Sequence, residues 1–197
     1  MDINSILTKR FYAATDVVDY HHPPVKKLAK KLSENSKSVE QVAQNCFEWV
    51  RDHIAHTMDV KRSEVSCSAS QVLQLGHGFC YAKSHLLAAL LRANGIATGF
   101  CYQRLADELC GFGLHGFNAI YLPTYGWYRV DARGNKQGIN AQFIPPKEQL
   151  AYTNHADGEI DYGIILAEPW PTVVRALQYA CNAPLLATQL PGRISMG

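Results

Sequence analysis

At 197 residues the chain is long enough for one domain with a full core, and its 47% apolar and 18% charged residues are those of a soluble globular protein. A formal net charge of +2 argues against a dedicated nucleic-acid or membrane surface. The six cysteines are scattered, with no CxxC pair. A reduced, cytoplasmic chain is therefore expected, without a disulfide framework. His77 and Cys80 form one close pair but have no second pair at ligand spacing, so no structural zinc or other metal site is expected. Met1-Asp2-Ile3-Asn4 carries an acid and lacks the apolar core of a signal peptide, and the longest apolar run, Leu86 to Leu91, is too short to span a bilayer.

The first part of the chain reads as helical. Pro23-Pro24 should open a helix through Val25, Leu28, Ala29 and Leu32, with its lysines outward. Ser38-Val39-Glu40-Gln41 has the form of a capping box leading into Val39, Val42, Ala43, Cys46, Phe47, Val50 and Ile54, spaced by threes and fours. His53 and His56 have no third ligand at metalloprotease spacing, so the helix end there reads as fraying into a loop. Ser66 to Leu75 reads as a short helix, capped by Ser68 or Ser70 and stopped by Gly76. Cys80 then opens a helix apolar on most faces, which Asn94-Gly95 ends. Ala97–Arg104, Leu114–Leu122 and Trp127–Asp131 are aromatic-rich and β-branched, and they read as an antiparallel sheet against that helix. Asp107 to Gly113 reads as a flexible loop. Beyond Arg133 the chain looks loop-rich, with a last helix from about Pro171 and a ragged tail from Gln189 to Gly197. Helices, then strands, then a helix indicate an α+β fold. One domain over 1–197 is expected: a helical part (1–65), a core (66–133) and a loop-rich part with a final helix (134–197).

The glycine-rich loop Gly76-His77-Gly78 places Cys80 at a helix start, where free N–H groups and the macrodipole favour a thiolate. A cysteine nucleophile needs a base, and the base needs an orienting group. Eight histidines compete for the role of base. His21, His22 and His155 read as loop residues, His77 as held loosely in a glycine turn, and His85 as a core or interface histidine. His115 opens a strand beside Gly116, and the next strand ends at Asp131. If Leu122 to Gly126 form the loop, Tyr121 pairs with Trp127 and Phe117 with Asp131. His115 is then diagonal to Asp131 on the same face, at roughly 7–8 Å between backbones. A register shift of one residue would separate them. An oxyanion donor is also needed. The Cys80 backbone N–H is one candidate. Gln74 is the other, or else a solvent-facing residue of the short helix. Phe79, Tyr81, Tyr102, Phe117 and Trp127 suggest an apolar-walled cleft. The remaining cysteines (Cys46, Cys67, Cys101, Cys110 and Cys181) read as packed or incidental thiols.

Gly78-Phe79-Cys80-Tyr81-Ala82-Lys83 with Leu90-Leu91-Arg92-Ala93-Asn94-Gly95-Ile96 resembles the nucleophile helix of the transglutaminase-like superfamily. His115-Gly116-Phe117-Asn118-Ala119-Ile120-Tyr121 and Gly126-Trp127-Tyr128-Arg129-Val130-Asp131-Ala132 resemble the same family's His and Asp strands. The resemblance covers about Ser66 to Arg133. It implies a papain-like core with Cys80 as nucleophile, His115 as base and Asp131 as orienter, and Gln74 stands where papain-like enzymes keep an oxyanion glutamine. No calcium loop of the animal transglutaminases is evident. The function expected is cysteine-dependent acyl transfer from a peptide, protein or small amide, with no cofactor. The alternative is a protein-binding module that keeps the fold without turnover. The sequence does not specify an oligomeric state.

Overall fold

Capping and periodicity account for the helices of the structure, a computed structural model that describes residues 8–194. The reading of the first four residues lies outside those residues, as does that of 195–197. Helix α1 (Pro23–Ser33) opens on its proline pair and buries Val25 and Ala29. Helix α2 (Val39–His53) is capped by Ser38, whose hydroxyl accepts the Gln41 N–H, and buries Ala43, Cys46, Phe47 and Val50. Helix α3 (Ala69–Leu75) has a complete capping box between Ser68 and Gln71, so Ser68 rather than Ser70 is the cap. It stops at Gly76, whose φ of 71° suits a residue without Cβ.

The segment after α2 does not fray. Ala55–His56 forms strand β1, parallel to β2 (His77–Gly78), with Ala55 opposite His77 and His56 opposite Gly78. The Ala55 N–H donates to the Gly76 carbonyl and the Thr57 N–H to the Gly78 carbonyl. A two-residue strand has no periodicity to read, and its partner lies about twenty residues further along, so only the folded chain shows it. His77 is likewise fixed rather than loose: it is buried, and its Nδ1 lies 3.1 Å from the Thr57 hydroxyl.

Helix α4 (Cys80–Ala93) is the centre of the molecule, and every residue from Cys80 to Arg92 is buried. Most of its polar atoms are satisfied by carbonyls, which makes such burial tolerable, although His85 Nε2 has no hydrogen-bond partner. Lys83 donates to Ile54, Ser84 to Tyr81, and Arg92 to Thr98, Ala13 and Ala167, while His85 Nδ1 bonds the Cys67 carbonyl.

Against α4 lies an antiparallel sheet in the order β5 (Gly126–Val130), β4 (Gly111–Leu122), β3 (Thr98–Asp107) and β8 (Ile160–Asp161). The register follows the expectation at Tyr121 and Trp127, and Leu122 also pairs with Gly126, so the turn is only Pro123–Thr124–Tyr125. The ladder ends with Asn118 opposite Val130. Asp131 follows directly, without forming the expected pair with Phe117.

The segment expected to be a flexible loop is a tight turn. β3 and β4 pair all the way to Asp107 and Gly111. The Asp107 carboxylate accepts the Leu109 and Cys110 N–H groups, and Gly111 takes a φ of 73°. Downstream come the hairpin β6 (Gln142–Ile144) and β7 (Lys147–Gln149), then α5 (Pro171–Tyr179) and α6 (Ala183–Ala187). The tail is not ragged as far as Ile194. The Leu114 N–H donates to the Pro191 carbonyl, the Arg104 guanidinium to that of Gly192, and the Ile194 N–H to the Tyr162 hydroxyl. Among the described residues, no helix is long and apolar enough to cross a membrane.

Candidate active site

Strand alternation divides β4. Gly116 and Asn118 face α4, where the Asn118 amide donates to the Ser84 carbonyl and Tyr81 fills the space a Gly116 Cβ would take. The Tyr81 hydroxyl donates to the Leu114 carbonyl, so the start of α4 is held against residues 114–116. His115 and Phe117 take the alternate positions, with their rings stacked 5.9 Å apart.

At the end of β5, buried Asp131 accepts three hydrogen bonds. Its Oδ2 lies 2.7 Å from His115 Nε2 and 3.1 Å from the Ala151 N–H, and its Oδ1 lies 3.0 Å from the Arg133 N–H. The backbone donors fix the carboxylate, and the carboxylate fixes the imidazole. With Nε2 engaged, Nδ1 is the nitrogen left to face Cys80, which is near enough to act on the ring's affinity for a proton. Burial opposes charge on this ring, but Asp131 and Cys80 outweigh it and raise His115 to about 10. Cys80 and His115 line one cleft of about 680 Å³, in the range of ligand-binding cavities.

The other cysteines differ in setting. Burial pushes Cys46 and Cys101 up to about 12 and Cys67 to about 11, and burial together with the Asp107 carboxylate does the same for Cys110, to about 11. Cys181 is exposed.

The residues that carry this geometry lie inside a family match: the family model of the transglutaminase-like superfamily matches residues 26–132, more than half of the chain. The chain belongs to the transglutaminase-like superfamily. A comparison with curated proteins returned no match. Among solved structures, a candidate cysteine protease from Cytophaga hutchinsonii aligns with a TM-score of 0.52 at 20% identity, over 68% of this chain and 43% of that one. The periplasmic domain of TgpA from Pseudomonas aeruginosa aligns with a TM-score of 0.50 at 19% identity, over 66% and 48%. These likenesses show a shared fold, and the chain spans less than half the length of either structure.

Not every expected residue of this superfamily member reaches the cleft. Gln74 is exposed on α3 and is not among the residues lining the cavity of Cys80. The short helix turns it toward solvent, which is the alternative the sequence left open. Of the five aromatics, Phe79 lines the cleft, while Trp127 packs on Phe11 at the far hairpin.

The fold also delivers residues that motif reading missed. Tyr152 sets its ring edge 4.9 Å from His115, and its hydroxyl accepts from Arg133, which is itself paired with Asp59. His56 lines the cleft beside Phe79. No spacing signal marks Tyr152, and the spacing of His53 and His56 suggests only an incomplete ligand pair. Leu105, Leu109, Ile139 and Leu190 supply apolar wall, and Leu190 belongs to the tail whose sequence suggests a ragged end.

Proposed function

We propose that the chain is a cysteine-dependent acyl-transfer enzyme acting on an amide or peptide carbonyl through a thioester. The observation that carries this reading is the 2.7 Å bond between His115 Nε2 and buried Asp131, with the Cys80 thiol on the other side of the same ring. Cys80 Sγ gives up its proton to His115 Nδ1 and attacks the carbonyl carbon, and the resulting oxyanion is held by the Cys80 backbone N–H at the start of α4. Collapse breaks the C–N bond, and His115 returns the proton to the leaving amine, so a thioester remains on Sγ. Water or a second amine then adds to the thioester. His115 takes that nucleophile's proton and gives it back to sulfur as the C–S bond breaks. Asp131 holds the ring in the tautomer and orientation that both steps need.

Protein groups supply each of these steps, and the substrate class is a peptide, a protein or a small amide. Limited alkylation with iodoacetamide near neutral pH, read by mass spectrometry, tests the proposal. Cys80 should react about 10²-fold faster than the buried thiols, as expected for an activated thiolate, and Cys80→Ala should remove the fast phase. Equal, slow labelling of all six cysteines would overturn the reading in favour of a protein-binding module.

A further inference from the structure

The acyl-transfer reading needs more than one donor for the developing oxyanion, and the residue first considered for that place, Gln74, faces solvent outside the cleft. Few donor side chains line the cavity near Cys80. Arg133 and Lys136 are both committed to Asp59. The Tyr152 hydroxyl is held by Arg133, and its ring lies on the His115 side of the cleft. His56 is different. The pairing of β1 with β2 sets it beside Gly78, in the loop that delivers the nucleophile, and its ring packs edge-on against Phe79, 5.7 Å between centroids.

The His56 imidazole makes no hydrogen bond to any described residue, and its Nδ1 is sealed from solvent without a partner. His85, Gln103 and Asn118 also leave one buried polar atom unpaired, but of these four residues only His56 lines the cleft of Cys80. An unpaired lone pair at Nδ1 costs less than an unpaired N–H there, which places the proton on Nε2. The fold itself makes no use of that N–H. The backbone around the ring is well fixed, because the Thr57 N–H is bonded to Gly78 and the buried Lys83 side-chain nitrogen donates to the Ile54 carbonyl.

We infer that His56 is a second oxyanion donor, presenting a ring N–H to the carbonyl oxygen of the acyl group while the Cys80 backbone N–H presents the other. This rests on the acyl-transfer reading and adds a residue to it. Burial and then the Arg133 charge hold His56 down at about 3, so its ring is neutral at working pH. It cannot compete for the thiol proton that His115, raised to about 10, retains. Two imidazoles in one cleft thus divide the work: a charged one moves protons and a neutral one polarises the carbonyl.

The test separates a step that forms an oxyanion from one that does not. Acylation of Cys80 by p-nitrophenyl acetate passes through a tetrahedral oxyanion, with the thiolate replacing p-nitrophenolate on the acetyl carbon. Alkylation by iodoacetamide displaces iodide directly from a saturated carbon. His56→Ala should slow single-turnover acylation by about 10²-fold, the usual effect of losing one oxyanion donor, and leave alkylation within about twofold of wild type. His56→Gln, which restores an N–H and disturbs packing less, should recover part of the acylation rate. Unchanged acylation in His56→Gln and His56→Ala would overturn the inference, and so would acylation and alkylation falling together, the pattern of a merely structural role. Absence of selective Cys80 alkylation in the wild type would instead overturn the acyl-transfer reading beneath it.

Discussion

The electrostatics of the site come down to Asp131. Its carboxylate is buried, yet it accepts the Arg133 and Ala151 N–H groups as well as the His115 ring, so its orientation does not depend on the histidine. Its charge is what lets a buried imidazole stay protonated. Asp131→Asn keeps an oxygen acceptor but removes that charge. The proton should then leave His115 more readily, which weakens the charge partner beside the Cys80 sulfur. Iodoacetamide labelling of Cys80 near pH 6 should fall by about tenfold or more, since one pKa unit is a factor of ten, and should recover as pH rises. A flat profile matching wild type would mean that the carboxylate only shapes the site. His56 shows the limit of reading residues one at a time. In the sequence it is half of a histidine pair without a third ligand. In the molecule its neighbours are Phe79 and the cleft.

The elements bring nucleophile and base together through one close approach, where the start of α4 crosses β4 at Gly116. A Cβ there would come within 2.7 Å of Tyr81 Cδ1 and 3.3 Å of Tyr102 Cε1. Tyr81 cannot yield, since it is buried and its hydroxyl is tied to the Leu114 carbonyl. Gly116→Ala should therefore cost about 1–3 kcal/mol by overpacking, read as a lower denaturation midpoint. It should also slow Cys80 alkylation, because the helix start can only move away from His115. A variant as stable and as reactive as wild type would show that the approach is not required. The sequence carries this demand legibly, as a glycine next to the candidate base. The tight turn at Glu108–Cys110 was hidden, because its cap is an aspartate two and three residues back that reads equally well as loop.

For the whole molecule, stability at alkaline pH is set by opposing buried groups. Lys83 is lowered to about 7, first by burial and then by Arg133, so the charged ammonium is disfavoured in the folded state. Between that value and the ordinary lysine value the unfolded chain binds more protons, so this group makes stability rise with pH through that window. His115 is raised to about 10, so its stabilising contribution is full below the ordinary histidine value and is lost as pH climbs toward 10. Lys83→Met removes the rising component and leaves the falling one. Denaturant midpoints measured from about pH 7 to about pH 10 should therefore decline more steeply in the variant than in wild type. Parallel curves would show that Lys83 stays charged in the folded protein.

By itself the sequence determined the starts of α1 to α5 and the stops of α3 and α4, though not the additional helix α6, together with the α+β order, the hairpin register at Tyr121 and Trp127, and the choice of Cys80, His115 and Asp131 as the residues to watch. Each of these rests on local chemistry: a capping serine, a glycine able to take positive φ, or an alternation that a one-residue slip would invert. Tertiary structure alone decided that Gln74 faces solvent, that the tail from Leu190 to Ile194 forms part of the cleft and its support, and that β1 places His56 beside the nucleophile loop. Those outcomes depend on pairings between segments far apart in the chain, where no local pattern records the partner and only packing selects it.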